Sequence, residues 1–304
     1  MKKLLSIEEL SSVELKSLIN TSVRLKAERG SHSESPLAGQ TWAMIFTKSS
    51  TRTRVSFEVG IRELGGFPMF LSSNDIQLGR GEPIKDTARV LGRMVHGVVI
   101  RTFAQQDVVD FAHYSKLPVI NALTDDEHPC QILADLLTVK EKLGGWDGKK
   151  FAFVGDGFSN MTRSWIWAAK ILNFELTVAT PESCQPPADF IKGLDYEGLT
   201  ISADPIAAIE GADVINTDVW LSMGQEDQKE KEMEFEGFQL NSELLKGAAN
   251  GHVVLHCLPA YRGKEISEEL LELHQDTIFQ QAENRLHAQK AVLVDLANSR
   301  STPN

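Results

Sequence analysis

Short apolar runs alternate with longer amphipathic stretches along most of the chain. Continuous apolar runs bounded by turn residues predict buried strands, and apolar positions recurring every three or four residues predict helices. Strands are predicted at Trp42–Phe46, Phe67–Leu71, Gly97–Arg101, Val119–Ala122, Phe151–Val154, Leu176–Ala179, Leu199–Ser202, Val214–Asn216 and Val253–Leu255. Helices are predicted at Ile7–Ala27, from Thr53 to Leu64, and at Ile84–Val95, Asp107–Ser115 and Gln131–Leu143. Further helices follow at Thr162–Leu172, Ala188–Leu194, Ile206–Ile209, Ser242–Gly247 and Asn284–Ala297. Ser6 with Glu9 has capping-box spacing and sets the first start. Gly65 and Gly66 stop the second helix. Ala88, Leu91, Met94 and Val95 make one apolar face of the third. The polar stretch Ser72–Pro83 exceeds a simple strand-to-helix turn, and long loops inside compact domains are often functional.

Strands that alternate with helices imply parallel sheets covered on both faces. The pattern halts at Gly144–Gly148 and then restarts, which predicts two doubly wound α/β domains. Ligands of such sheets bind beyond the carboxyl ends of the strands. Ser50–Thr53, Arg101, His128, Asp156, Asp218 and Cys257 each end or follow a predicted strand. That common placement predicts an active site in one cleft between the two domains.

Composition narrows the partners. The 304 residues carry 31 basic and 42 acidic side chains, a net charge of −11. This argues against nucleic acid or an anionic membrane as a general partner, so any anionic ligand must be held by locally clustered arginines. The three cysteines, Cys130, Cys184 and Cys257, have neither a disulfide framework nor metal-ligand spacing, which fits a reducing cytosol and no metal. The N-terminus lacks an apolar signal core, and no apolar run approaches a membrane span. A cytoplasmic location is the expectation.

Chemistry concentrates at a few places. Ser50-Thr51-Arg52-Thr53 lies between a strand and a helix, where unpaired backbone N–H groups and the helix dipole favour an anion, phosphate above all. The same stretch reads equally as an N-cap followed by solvated arginines. Arg101 ends an apolar strand, either as a cleft cation or as a rim salt bridge, since an unpaired charge inside the sheet is costly. His128 and Gln131 share a helix face; an imidazole can donate to a carbonyl oxygen and an amide can hold a neighbouring N–H₂. Gly155-Asp156-Gly157 suggests a nucleotide loop without dinucleotide spacing. Asp218, followed by Ser222-Met223-Gly224, can pair with an ammonium group or cap the next segment. Cys257 is either a reactive thiol or an inert buried one, and Leu258-Pro259 is a candidate cis peptide.

In series, Ser50–Thr53, His128-Pro129-Cys130-Gln131, Asp218 with Ser222–Gly224, and His256-Cys257-Leu258-Pro259 resemble the motif set of the aspartate/ornithine carbamoyltransferase family, nearest to its ornithine-using members. Lys85–Leu91 and Glu283–His287 extend the resemblance over nearly the whole chain. It implies transfer of the carbamoyl group of carbamoyl phosphate to the δ-amine of L-ornithine, with no cofactor. It also implies a carbamoyl-phosphate-binding domain over 1–143, completed by a C-terminal helix at 284–304, and an ornithine-binding domain over 148–283. By resemblance, Ser50, Thr51, Arg52 and Thr53 hold phosphate and Arg101 bridges phosphate and carbonyl oxygen. His128 donates to that oxygen, Gln131 holds the carbamoyl N–H₂, and Arg285, Cys257 and Leu258 complete the pocket. Asn160, Asp218, Ser222 and Met223 grip ornithine. Gln77 is donated by a neighbouring subunit of a homotrimer with shared sites. Arg52, Arg101, His128 and Cys257 are the implied catalytic set. The run Phe158–Ser164 keeps only Asn160 of the family's usual asparagines and adds Arg163, and Tyr261 stands where histidine is common. Putrescine or acylated ornithine as acceptor, or a non-catalytic paralogue, are the alternatives.

Overall fold

The computed structural model describes residues 1–72, 76, 81–221 and 229–301. In chain order the elements are α1 (Ser12–Ala27), β1 (Thr41–Phe46), α2 (Thr51–Glu63), β2 (Phe67–Ser72), α3 (Ile84–Leu91), β3 (Gly97–Arg101), α4 (Gln105–Ser115), β4 (Val119–Leu123) and α5 (Pro129–Leu143). They continue with β5 (Lys150–Val154), α6 (Asn160–Leu172), β6 (Glu175–Ala179), α7 (Ala188–Leu194), β7 (Leu199–Ser202), α8 (Pro205–Ile209) and β8 (Val214–Thr217). Last come α9 (Lys229–Met233), β9 (Val253–His256), α10 (Glu268–Leu273) and α11 (Gln275–Ser301). Two compact units result: Met1–Leu137 with Glu283–Asn304, and Thr138–Ala282. The division thus falls inside α5, earlier in the chain than the glycine-rich stretch at 144–148.

The first unit holds a parallel sheet in the order β2-β1-β3-β4. β1, β3 and β4 are mostly apolar and, apart from half-buried Thr41, buried, as a sheet covered on both faces requires. Ala43, Ile45, Val98, Ile100 and Val119 of the sheet pack with Val108 and Phe111 of α4. Chain direction reverses its lateral progress between β1 and β3, so the loop after β1 and the end of β3 flank the switch point. Phe46 and Arg101 stand opposite one another there, and Thr47 N donates to Arg101 O at 2.9 Å.

The second unit has a five-stranded parallel sheet, β7-β6-β5-β8-β9. Its switch point lies between β5 and β8, where Val154 opposes Thr217 and the Thr217 hydroxyl donates to Val154 O at 2.7 Å. Val154, Ile215 and Val254 of the sheet join Phe235, Leu240 and Ile278 in the apolar core.

Helix boundaries depart from the sequence pattern for local reasons. The first helix starts at Ser12 because Ser11 and Glu14 form the reciprocal capping box. Ser6 instead closes a preceding turn, accepting from Glu9 N at 3.3 Å. The third helix stops at Leu91. A Cβ at Gly92 would lie 2.5 Å from Ser115 O, so the backbone passes too close for a side chain, and Met94, expected on the apolar face, is 70% exposed. The predicted helix at Ser242–Gly247 is a 3-10 turn at Leu244–Gly247. The terminal helix begins at Gln275, well before Asn284. Among the described residues no helix is long and apolar enough to cross a membrane.

Candidate active site

In the first unit, Ser50 is the N-cap of α2, its hydroxyl accepting from Thr53 N at 3.2 Å. The N-cap that this stretch predicts is therefore formed. It leaves the Ser50 hydroxyl proton available to an anion, because the oxygen serves the helix as acceptor only. Thr51 is exposed at the first position of the helix, Arg52 is partly buried and Thr53 is buried.

Arg285, on α11, connects this helix start to α5. Its guanidinium donates to Thr53 Oγ1 at 2.6 Å and to Gln131 Oε1 at 2.7 Å. A longer contact, 3.4 Å, reaches His128 Nε2. Arginine only donates, so that contact makes Nε2 the acceptor and puts the ring proton on Nδ1. Gln131 Nε2 in turn donates to Asp135 Oδ1 at 2.7 Å. The His128 imidazole is held well below its ordinary pKa, first by burial and then by the positive charges of Arg285, Arg101 and Arg52. His128 is thus a neutral donor in a strongly cationic pocket. Arg101 is buried at the end of β3. Thr53, Arg52, Arg101, His128, Gln131 and Arg285 are therefore assembled within one unit. Gln77 lies outside the described residues.

In the second unit, Asp218 directly follows β8 and Cys257 directly follows β9, neighbouring parallel strands. The Cys257 thiol donates to Asp218 Oδ1 at 2.9 Å, and Val219 N donates to the same oxygen at 2.8 Å. Burial pushes the Asp218 carboxyl above its usual pKa, while the neighbouring His256, the thiol and the amide pull it back. His256 is fixed on every side. Its N–H donates to Gln281 Oε1, Nδ1 accepts from Leu258 N, and Nε2 donates to the buried Glu265. The Leu258–Pro259 peptide is cis, as the sequence suggests, and Leu258 has a positive φ of 57°. Asn160 opens α6 behind its N-cap Ser159. Ser222 and Met223 lie outside the described residues. Asp156, in the glycine-bearing turn after β5, is paired with Lys231 at 2.6 Å.

Among the described residues, Asp218, His256 and Cys257 bring potential metal-ligating atoms within 4.8 Å of one another. Both ring nitrogens of His256 already serve Leu258 N and Glu265. The cluster fits a hydrogen-bonding network better than a metal site.

Comparison with known proteins decides the family. Residues 2–141 match "Aspartate/ornithine carbamoyltransferase, carbamoyl-P binding domain", and residues 147–296 match its "Asp/Orn binding domain". The chain belongs to the aspartate/ornithine carbamoyltransferase family. An ornithine carbamoyltransferase from Akkermansia muciniphila is 62% identical over 99% of both chains. The anabolic ornithine carbamoyltransferase of Campylobacter jejuni superposes with a TM-score of 0.91 at 44% identity, covering 99% of this chain and 100% of that one. The Pyrococcus furiosus ornithine carbamoyltransferase gives 0.90 at 43% identity over 96% of each. Membership in this carbamoyltransferase family removes the nucleotide-loop reading of Gly155–Gly157.

The sequence pattern did not single out Asp135 or Glu265. Asp135 was visible as a polar residue four positions after Gln131 in the otherwise apolar run Ile132–Leu137. Glu265 carries no local signal, because its partner His256 is nine residues away across a loop.

Proposed function

We propose that this chain is a carbamoyltransferase that moves the carbamoyl group of carbamoyl phosphate to the δ-amine of L-ornithine, giving L-citrulline and phosphate in arginine biosynthesis. The observation that carries this reading is a neutral, buried His128 set among Arg52, Arg101 and Arg285 at the start of α2. Three guanidiniums and a helix N-terminus suit a doubly charged acyl phosphate. The relatives from A. muciniphila and C. jejuni support ornithine as acceptor and an anabolic role.

The reaction follows from these groups. The uncharged δ-amine attacks the carbamoyl carbon, and negative charge builds on the carbonyl oxygen. Arg101, His128 and the Thr53 hydroxyl stabilise that charge, each such donor being worth about 3 kcal/mol of barrier. Gln131 and the main chain at Cys257–Leu258 orient the carbamoyl group. Phosphate leaves as an anion toward Ser50, Thr51, Arg52 and the helix terminus. Asp218 pairs with the α-ammonium of ornithine, with Asn160, Ser222 and Met223 around the amino acid. Cys257 polarises the region of the attacking amine through its bond to Asp218 and is not a nucleophile. Holding both substrates in one orientation supplies roughly 7–11 kcal/mol. No step calls for a metal or a cofactor.

The working form is a cytoplasmic homotrimer in which Gln77 reaches a neighbour's site. Exposed Val55 on α2, together with Phe67 and Met69 on the edge strand β2, supports self-association, because large apolar side chains there favour a protein partner. Purified protein should form citrulline from ornithine and carbamoyl phosphate without added metal, and its mass in solution should be three times that of the chain. Turnover of putrescine or N-acetylornithine with none of ornithine would reject the acceptor assignment.

A further inference from the structure

Resting on the carbamoyl-phosphate reading above, we propose that Asp135 is a positioning residue that fixes the Gln131 amide and thereby makes the site select a carbamoyl group over an acyl group of the same shape. Asp135 and Gln131 lie one turn apart on α5, and neither exposes any surface. The amide nitrogen of Gln131 donates to Asp135 Oδ1 at 2.7 Å, and its oxygen accepts from Arg285 Nη1 at 2.7 Å. Each end of the amide therefore faces a formal charge of matching polarity. Rotating the amide by half a turn would set its oxygen against a carboxylate and its N–H₂ against a guanidinium. In a buried, low-dielectric setting both reversed contacts are strongly unfavourable.

The consequence lies in what Gln131 offers a ligand. A carbonyl oxygen has two acceptor positions, and the Arg285 N–H takes one. The other can receive an N–H of a carbamoyl group. Arg285 alone does not secure this orientation, because an amide flanked by only one charge can still rotate when a ligand competes for the guanidinium. Asp135 supplies the second constraint from the side away from Arg285. Its role differs from an ordinary helix pair, since the acceptor must be a full carboxylate rather than any polar group of similar size.

The test compares carbamoyl phosphate with acetyl phosphate, which has the same phosphate and carbonyl but a methyl group in place of the N–H₂. A merely structural loss would weaken both ligands together. Asp135→Asn keeps the volume but can turn its own N–H₂ toward Gln131, which licenses the reversed amide. The wild type should prefer carbamoyl over acetyl phosphate. Asp135→Asn should lose about tenfold or more of that preference, with inorganic phosphate affinity held within about twofold, because a site built to bond an N–H rejects the analogue that lacks it. Asp135→Glu, which restores a carboxylate, should recover part of the preference. Should Asp135→Asn not fold, Asp135→Ser should give the same loss. A preference retained in Asp135→Asn or Asp135→Ser overturns the inference alone. A wild type indifferent to the two acyl phosphates overturns the substrate reading and this inference with it.

Discussion

Arg285 donates to the hydroxyl of Thr53 at 2.6 Å, although 232 positions of sequence separate them. The bond ties the last helix of the chain to the first turn of α2. Because the same guanidinium also reaches Gln131 at 2.7 Å, one planar fork aligns a donor, the Thr53 hydroxyl, and an acceptor, the Gln131 amide oxygen, that no local feature could align. Arg285→Lys keeps the charge, but a single ammonium on a flexible stem cannot span both partners. The variant should fold normally and lose about 10²–10³ in kcat, the scale of one oxyanion donor. Steady-state kinetics with both substrates saturating would check this; a loss below about threefold would contradict the role given to Arg285.

The Asp218–Cys257 bond predicts a pH effect. Burial raises the Asp218 carboxyl above its usual pKa, and the Cys257 thiol opposes that rise by donating to the charged form. A raised carboxyl takes up its proton at higher pH than usual, so the acid limb of kcat/KM for ornithine should begin above the ordinary carboxylate range. Cys257→Ala removes one stabilising donor and should move this limb further toward neutral pH. A limb that stays put, or moves to lower pH, would show that the thiol does not hold the carboxylate.

Much of this arrangement was legible in the residues alone. The buried inner strands were visible because parallel strands covered on both faces are nearly continuously apolar, and Gly97–Arg101 matches the predicted bounds residue for residue. The capped start of α2 was legible because Ser50–Arg54 follows such a strand and opens a helix. What was hidden depended on distant partners or on main-chain packing. At the end of α3 the close approach of Gly92 to Ser115 leaves no room for a side chain, which periodicity cannot register. Glu265 reads as an ordinary loop glutamate until His256 and the Tyr261 N–H meet it. Highly charged α9 lacks an apolar period, and α10, at six residues, is too short to show one; neither is predicted from the sequence pattern. The start of α1 was misplaced because two serine–glutamate pairs of identical spacing compete, and only Ser11 with Glu14 closes both bonds.

Gly97 offers a test of packing independent of catalysis. A Cβ built there would lie 2.5–2.6 Å from three ring atoms of Trp42, and that indole is fully buried against the neighbouring strand. A buried ring cannot yield as a flexible chain end can. Gly97→Ala should therefore destabilise the protein by about 1–3 kcal/mol, the usual cost of overpacking. The melting temperature should fall while KM for carbamoyl phosphate, measured well below that temperature, stays unchanged. An unaltered melting temperature would mean that the strand accommodates the methyl group.

His287 makes stability depend on pH in a defined window. It is buried on α11, and its pKa is lowered to about 4 from an ordinary 6.5. Burial is the main cause and the nearby Lys290 charge adds to it, while Glu283, 3.4 Å away, works against both. Between those two values the unfolded chain binds a proton that the folded chain refuses. Linkage then requires stability to be complete above the unfolded value and to be lost as pH falls toward the folded one. At no more than 1.36 kcal/mol per pH unit, the loss between pH 6.5 and 5 is on the order of 1 kcal/mol. His128, lowered in the same direction, adds to it. Urea midpoints for the wild type should drop between about pH 7.5 and 5. His287→Gln removes one titrating group, so its midpoint should drop less over the same interval. If wild type and variant lose stability in parallel, His287 is not the group whose protonation the fold resists.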